Sequence, residues 1–182
     1  MARSRNVSLT ATSSAFVFSK SARRLAWSLH RELGSRREPS IPASLHISLI
    51  GFGMAAPPRP ELVAAMSDAA AAVGLVPIEV ELDQVATYNG KPGRLPVVLR
   101  GDSGVAALSQ LHAALEARIE RFVLARRACS RFTPHLTLFY GERPVGHRAV
   151  PAIGWHAREF VLIHGQTSPR RHDVLGRWPL RG

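Results

Sequence analysis

Cysteine and lysine are nearly missing from this 182-residue chain, which has one cysteine, Cys129, and two lysines, Lys20 and Lys91. A single cysteine cannot close an internal disulfide and offers no second thiolate for a zinc site, so a reducing, cytoplasmic setting is favoured. No apolar run approaches the roughly 20 residues that a membrane-spanning helix needs. The basic N-terminus is followed by Ser and Thr where a signal peptide requires apolar residues. We therefore expect a cytoplasmic protein without a membrane partner.

Positive charge is abundant and is carried almost entirely by arginine. The formal net charge is +11, from 24 Lys and Arg residues against 13 Asp and Glu residues. A field of this sign attracts polyanions such as RNA, and the guanidinium group matches the geometry of a phosphate. A genome that favours arginine codons would explain the same composition. Charge thus supports a nucleic-acid partner without establishing one.

The order of predicted elements indicates an α+β fold with a mainly antiparallel sheet. Residues 1–14 read as a flexible tail and residues 15–182 as a single domain, since no linker interrupts them. Apolar runs and alternation predict strands, and spacing at three and four predicts helices with glycine stops. The predicted strands are 15–19, 45–50, 76–83, 95–100, 135–140, 155–164 and 174–180, and the predicted helices are 21–33, 59–73 and 103–122.

One short motif occurs twice. Leu45-His-Ile-Ser-Leu49 is repeated as Pro134-His-Leu-Thr-Leu138, with the two histidines 89 positions apart. Each copy lies on a predicted strand. Because side chains alternate along a strand, histidine and hydroxyl share one face while the apolar residues share the other. Two such strands related by an approximate two-fold axis would form a cleft that holds two imidazoles and two hydroxyls.

This set of side chains suits the opening of a cyclic phosphodiester. The reaction needs a base for the attacking water and an acid for the leaving oxygen, and histidine serves in either role near neutral pH. Hydroxyls can donate hydrogen bonds to the non-bridging oxygens. A lone His-x-Ser is more often purely structural, but a second copy in a matching apolar frame weakens that interpretation. A metal site is disfavoured because carboxylate and thiolate ligands are missing from both motifs.

The paired motifs resemble those of the 2H phosphoesterases, which are defined by two His-x-Ser/Thr motifs. Within that group the chain looks most like the RNA 2′,3′-cyclic phosphodiesterases, also called 2′-5′ RNA ligases. The resemblance covers nearly the whole chain, from Ala15-Phe-Val-Phe18 through both motifs to Val174-Leu-Gly-Arg-Trp-Pro-Leu180. It implies two pseudo-symmetric α+β lobes, with helices outside, around a V-shaped cleft.

The resemblance also implies an activity and a role for each motif residue. His46 would donate a proton to the leaving 3′ oxygen, and His135 would accept the proton of the attacking water. Ser48 and Thr137 would hold the phosphate. No metal or cofactor is expected, the product would be a terminal 2′-phosphate, and some members also join RNA through a 2′-5′ bond. We expect a monomer acting on RNA with a 2′,3′-cyclic phosphate, or on a nucleotide.

Further residues are candidates for contacts with the rest of the substrate. Arg131 and Arg94 could bind phosphates along an RNA tail, although a solvated surface position is the simpler interpretation of each. An aromatic side chain could stack on a base. Phe139 is preferred because it falls on the same strand face as His135, and the other candidates are Phe52, Tyr88 and Tyr140. The histidines outside the repeat are expected at the surface, namely His30, His112, His147, His156 and His172.

Two other functions remain open from the sequence. The same chemistry could act on a small cyclic phosphate, such as a cyclic nucleotide or ADP-ribose cyclic phosphate. Alternatively, the chain could be a non-catalytic relative that binds RNA or a nucleotide.

Overall fold

The computed structural model describes residues 6–11, 16–36, 38–39, 45–51, 60–119, 132–167 and 170–181. Within these residues the chain forms eight strands and three α-helices, with a 3₁₀ turn, Ser103–Val105, leading into the third helix. The strands are β1 (Asn6–Ala11), β2 (Ile47–Gly51), β3 (Ile78–Thr87), β4 (Leu95–Arg100), β5 (His135–Gly141), β6 (Arg148–Ala157), β7 (Glu159–Thr167) and β8 (Arg170–Pro179). The helices are α1 (Phe16–Leu33), α2 (Pro60–Ala71) and α3 (Ala106–Ile119).

All described strands belong to one antiparallel sheet with two matched halves. The strand order is β6-β3-β4-β5-β2-β1-β7-β8. The central half of the chain supplies β6, β3, β4 and β5, and the terminal segments supply β2, β1, β7 and β8. The two halves meet where β2 pairs with β5 through Ile47 and Leu136. The predicted α+β class with pseudo-symmetric antiparallel halves is confirmed.

The helices cover one face of the sheet because each presents an apolar stripe. In α3 the buried residues Leu108, Leu111, Leu115 and Ile119 follow one another at spacings of three and four, which places them on one side of the helix. In α1 the same spacing applies to Ala22, Ala26 and Leu29, which are buried. These stripes join the apolar residues of both motif strands in one core cluster.

Two helices pack across the division between the halves. The helix α1 follows β1 in the terminal half, yet it contacts β5 and β6 of the central half. The helix α3 follows β4 in the central half and contacts β2 of the terminal half as well as β3. The motif strand β5 is therefore covered by α1, which precedes β2 in the chain. The motif strand β2 is covered by α3, which precedes β5.

Two predictions near the N-terminus are wrong. Residues 16–19, predicted as a strand, form the first turn of α1; a short apolar run has no periodicity that separates a strand from a buried helix. Residues 6–11, predicted as part of a flexible tail, form β1 between β2 and β7. Ser8 and Thr10 on this strand are buried, so the Ser- and Thr-rich composition that suggested a tail belongs to an interior strand.

The other element predictions hold with shifted boundaries, except near the C-terminus. The segment predicted as one strand at 155–164 belongs to two consecutive strands, β6 and β7, which are separated by Arg158. These strands do not pair with each other, since β6 pairs with β3 and β7 pairs with β1 and β8. Phe122, predicted as the end of the third helix, lies outside the described residues. None of the described helices has the length and apolar character required to cross a bilayer.

Candidate active site

The two motifs lie on the adjacent strands at the centre of the sheet. Because Ile47 pairs with Leu136 in an antiparallel register, the neighbouring positions put His46 opposite Thr137 and Ser48 opposite His135. The two histidines are then related diagonally, which corresponds to about 7–8 Å between residues in a regular antiparallel pair. The structure therefore brings together both predicted imidazoles and both predicted hydroxyls.

Burial distinguishes the two faces of these strands as predicted. Ile47 and Leu136 are 0% and 1% exposed and belong to the core beneath the helices. His46, His135 and Thr137 are partly exposed, and Ser48 is exposed. We call the face that carries these four residues the cleft face. It is open to solvent, so a substrate can reach all four polar side chains.

Both motif strands carry a β-bulge at the residue that follows the hydroxyl. On β2, Ser48 pairs with Thr10 and Ile50 pairs with Leu9, so Leu49 is the extra residue. On β5, Thr137 pairs with Val98 and Phe139 pairs with Val97, so Leu138 is the extra residue. A bulge inserts one residue and reverses the alternation of faces beyond it. The internal symmetry of the sequence thus extends to backbone irregularities that the motif itself does not predict.

The bulge on β5 overturns the preference for Phe139 as a stacking residue. Beyond Leu138 the alternation reverses, so Phe139 turns to the helix side, where it is 1% exposed and lies 5.9 Å from the ring of His30 on α1. Tyr140 takes the cleft face instead and is partly exposed. The aromatic ring available for stacking beside the second motif is therefore that of Tyr140.

Arg94 lies against this tyrosine. Its guanidinium carbon is 4.8 Å from the centroid of the Tyr140 ring, a distance typical of a cation–π contact. Arg94 is otherwise exposed, next to the turn that follows Asn89 and Gly90. Arg131 and Phe52, the other predicted candidates for substrate contacts, lie outside the described residues.

The backbone fixes the orientation of the His135 ring. Its Nδ1 lies 2.7 Å from the carbonyl oxygen of Thr133. A carbonyl can only accept, so Nδ1 carries a hydrogen, and in the neutral imidazole the lone pair lies on Nε2. On its other side the ring contacts Tyr88, with 4.9 Å between ring centroids. His135 is therefore held as the tautomer that can accept a proton at Nε2.

His46 has a ring neighbour that was not predicted. His172 on β8 lies with its ring centroid 4.8 Å from that of His46, at an interplanar angle of 80°. Burial lowers the pKa of His172, so its imidazole is neutral at pH 7. The expectation that His172 is a plain surface residue is wrong. Because His172 lies outside the repeated motif, the sequence did not indicate that it would contact His46.

A charged group next to His135 was also missed. Arg100 is the direct cross-strand partner of His135 on β4 and forms an ion pair with Asp102. Gln84 donates a hydrogen bond from Nε2 to the other carboxylate oxygen of Asp102, at 2.8 Å. That hydrogen bond, followed by the charge of Arg100, holds the pKa of Asp102 below its usual range. The sequence shows Arg100 at the end of an apolar predicted strand, but it does not indicate that this residue lies next to His135.

The described residues include no group of three or more His, Cys, Asp or Glu side chains arranged to hold a metal ion. The polar groups on the cleft face include the imidazoles and hydroxyls of the two motifs and the guanidinium of Arg100. These groups can transfer protons and donate hydrogen bonds to an anion.

Comparison with known families identifies this arrangement. The sequence model of the 2′-5′ RNA ligase superfamily matches residues 18–165, a range that includes both motifs. The chain belongs to the 2′-5′ RNA ligase superfamily. The resemblance to the 2H phosphoesterases, drawn from the two motifs, is thereby confirmed.

Solved structures share the fold of this superfamily member over its full length. E. coli LigT complexed with 3′-AMP is 19% identical, with a TM-score of 0.74 and coverage of 98% of this chain and 99% of LigT. A crystal structure of a phosphoesterase is 20% identical, with a TM-score of 0.76 and complete coverage of both chains (100% each). A Thermus thermophilus protein is 18% identical, with a TM-score of 0.71 and coverage of 97% and 98%. No curated protein sequence matches the chain significantly.

Proposed function

We propose that this protein hydrolyses RNA ends that carry a 2′,3′-cyclic phosphate to 2′-phosphate ends, by acid–base catalysis without a metal ion. The observation that carries this proposal is the pairing of Ile47 with Leu136, because it sets two imidazoles and two hydroxyls on one exposed face. The same groups would support 2′-5′ ligation when a ribose hydroxyl replaces the attacking water.

The hydrogen bond at Thr133 supports His135 as the proton acceptor. Its Nδ1 donates to the Thr133 carbonyl, which leaves Nε2 to take a proton from water as the water oxygen attacks phosphorus. The imidazolium that forms is stabilised by the same carbonyl oxygen. In this step the water O–H bond breaks and a P–O bond forms.

His46 completes the reaction as the proton donor. The bond between phosphorus and the ribose 3′ oxygen breaks, and that oxygen takes the proton of the His46 imidazolium. Ser48 and Thr137 donate hydrogen bonds to the two non-bridging oxygens, where charge accumulates in the transition state. One water molecule is consumed, and exchange of protons with solvent restores both imidazoles.

The relatives support a substrate that contains a nucleotide phosphate. E. coli LigT has been crystallised with 3′-AMP, with ATP, with NADP+ and with phosphate. In this chain Tyr140 offers a ring to a nucleobase, since stacking on aromatic side chains is a common mode of single-strand recognition. Arg94 and Arg131 supply positive charge for an RNA tail. A monomer in the cytoplasm remains the expected setting.

Product analysis tests the proposal directly. A short RNA with a 2′,3′-cyclic phosphate is incubated with the protein in the presence of excess EDTA, and the product is identified as a 2′- or 3′-phosphate. We expect a 2′-phosphate and no loss of rate with EDTA. A rate that disappears with EDTA and returns with zinc would contradict the mechanism, as would a 3′-phosphate product.

A further inference from the structure

The feature that the proposed chemistry leaves unused is the guanidinium of Arg100. Arg100 and His135 are directly paired across β4 and β5, so their side chains leave the sheet on the same face, with Cβ atoms about 4.5–5.5 Å apart. Arg100 therefore lies on the cleft face, next to His135, the proposed proton acceptor, but it belongs to neither motif.

The arginine is held in place by a carboxylate and an amide. Arg100 donates to Oδ1 of Asp102, and Gln84 donates to Oδ2. The lowered pKa of Asp102 keeps this carboxylate charged at neutral pH. The side chain of Arg100 is 21% exposed, against 65% for Asp102. Most of the Arg100 side chain is thus removed from water while that of its counter-ion is not, and a charge in this position favours a second anionic partner.

Two hydrogen-bond donors beside His135 have no partner among the described residues. They are Nε of Arg100 and the hydroxyl of Tyr88, both buried. Burial raises the pKa of Tyr88 and the charge of Arg100 acts on the same hydroxyl, so this hydroxyl is a neutral donor close to the guanidinium. A buried donor without a hydrogen-bond partner destabilises the protein, and a hydrogen bond to an anionic oxygen of a ligand would remove this penalty.

The phosphate that Arg100 would hold differs from the one held by the motif hydroxyls. Thr137 pairs with Val98, two residues before Arg100 on the same strand. Asp102, beyond the end of β4, binds the guanidinium as its counter-ion. Arg100 on β4 and Ser48 on β2 therefore flank His135 on opposite sides, and the side of Arg100 is open to a second phosphate of the same RNA.

We propose that Arg100, braced by Asp102 and Gln84, binds the phosphodiester that joins the terminal nucleoside to the preceding one. This inference rests on the proposed function and deepens it: Arg100 makes the site prefer a polynucleotide end over a single cyclic nucleotide. It is a specificity-determining residue, and the proton transfers at His46 and His135 proceed without it.

Two substrates with the same terminal nucleoside test the inference. One is the nucleoside 2′,3′-cyclic phosphate, and the other is the dinucleotide that ends in the same cyclic phosphate. For Arg100→Gln we expect KM of the dinucleotide to rise by about 10- to 100-fold, the range of a hydrogen bond to a charged group. We expect kcat/KM of the mononucleotide to fall by a much smaller factor, because that substrate has no phosphodiester for Arg100 to bind. Arg100→Lys retains the charge and should recover part of the lost affinity.

The control is Arg118→Gln, which removes the same charge from α3, where the arginine bonds to a carbonyl of its own helix. Thermal melting establishes that each variant is folded, and Arg100→Lys carries the test if Arg100→Gln is not. Equal losses on both substrates, or no loss on either, would overturn the inference while the proposed function stands. Absence of turnover by the unaltered protein on both substrates would instead overturn the proposed function, and the inference with it.

Discussion

The terminal and central halves of the sheet share some features at the cleft and differ in others. Both present a histidine and a hydroxyl at alternate positions, and both have a bulge directly after the hydroxyl. Two positions beyond the bulge, the central half carries Tyr140 and the terminal half carries Gly51. A Cβ atom added at Gly51 would meet nothing within 4 Å. The shared features would suit a phosphate group, whose two non-bridging oxygens are alike. The differing features would suit a substrate whose nucleobase lies on the side of the central half.

The largest expected effect comes from removing either imidazole. His46→Ala or His135→Ala should each lower kcat/KM on cyclic-phosphate RNA by about 10²- to 10⁴-fold, the usual contribution of a proton-transfer group. The double variant should be little worse than either single one, because the two groups act in one step. His156→Ala, at an exposed position on β6, is the control. Full activity in either single variant would contradict an acid–base pair.

The pH dependence distinguishes the roles of the two halves. The acceptor must be neutral and the donor protonated, so kcat/KM should be bell-shaped with limbs between about pH 5 and 8. The residual activity of His135→Ala should lack the acidic limb, and that of His46→Ala should lack the basic limb. The reverse pattern would exchange the two roles, and a flat profile for the unaltered protein would exclude both.

The hydroxyls should contribute somewhat less. Ser48→Ala and Thr137→Ala should each reduce kcat by about 10²- to 10³-fold, as measured for the loss of one oxyanion donor. The exchanges Ser48→Thr and Thr137→Ser keep a donor in each half and should retain most of the activity. If the alanine variants changed only KM, the hydroxyls would bind the ground state and transition state equally.

The asymmetric position should affect binding rather than chemistry. Tyr140→Ala should weaken binding of the RNA end by about 1–3 kcal/mol, the value of one stacked base, seen as a higher KM. Tyr140→Phe keeps the ring and should bind normally. An equal KM for Tyr140→Ala and the unaltered protein would remove Tyr140 from the substrate site.

The smallest expected effect concerns the link between α1 and the central half. Arg148 on β6 donates two hydrogen bonds to Glu32, at 2.8 and 2.7 Å, and these lower the pKa of Glu32. A lowered carboxyl pKa stabilises the fold fully above the unfolded-state value of about 4.3, and this contribution is lost as pH falls through the lowered pKa of the folded state. Glu32→Gln should slightly lower Tm at pH 7, and the difference should shrink as the pH is lowered into the acidic range. Glu142→Gln is the exposed control.

The sequence predicted the shared position of the four motif side chains because both motifs combine two local signals. Alternation assigned faces to Leu45–Ser48 and to Pro134–Thr137 without knowledge of the sheet, and repetition indicated that the two segments act together. The prediction extended correctly as far as the hydroxyls. It failed at Phe139, because a bulge depends on pairing with β4 and leaves no mark in the alternation of β5 itself.

Features that depend on neighbouring strands escaped prediction. Arg100 on β4 and His172 on β8 lie next to the motif histidines, although both strands are distant from the motifs in the chain. The strand β1 was missed because Ser8 and Thr10 are polar yet lie inside the sheet. The polar character of these residues suggests a solvated position, whereas the order of the strands in the sheet places them beside the motif histidines or in the interior.

The exchange of helices between the halves has a mechanical consequence. Since α1 and α3 each lie behind the motif strand of the opposite half, the halves cannot swing apart like a hinge without pulling both helices off the apolar layer. We therefore expect the gap between His46 and His135 to remain constant during turnover, with RNA entering and leaving through the mouth of a rigid groove. The same cross-bracing should make the protein melt in one cooperative step, with neither half surviving alone.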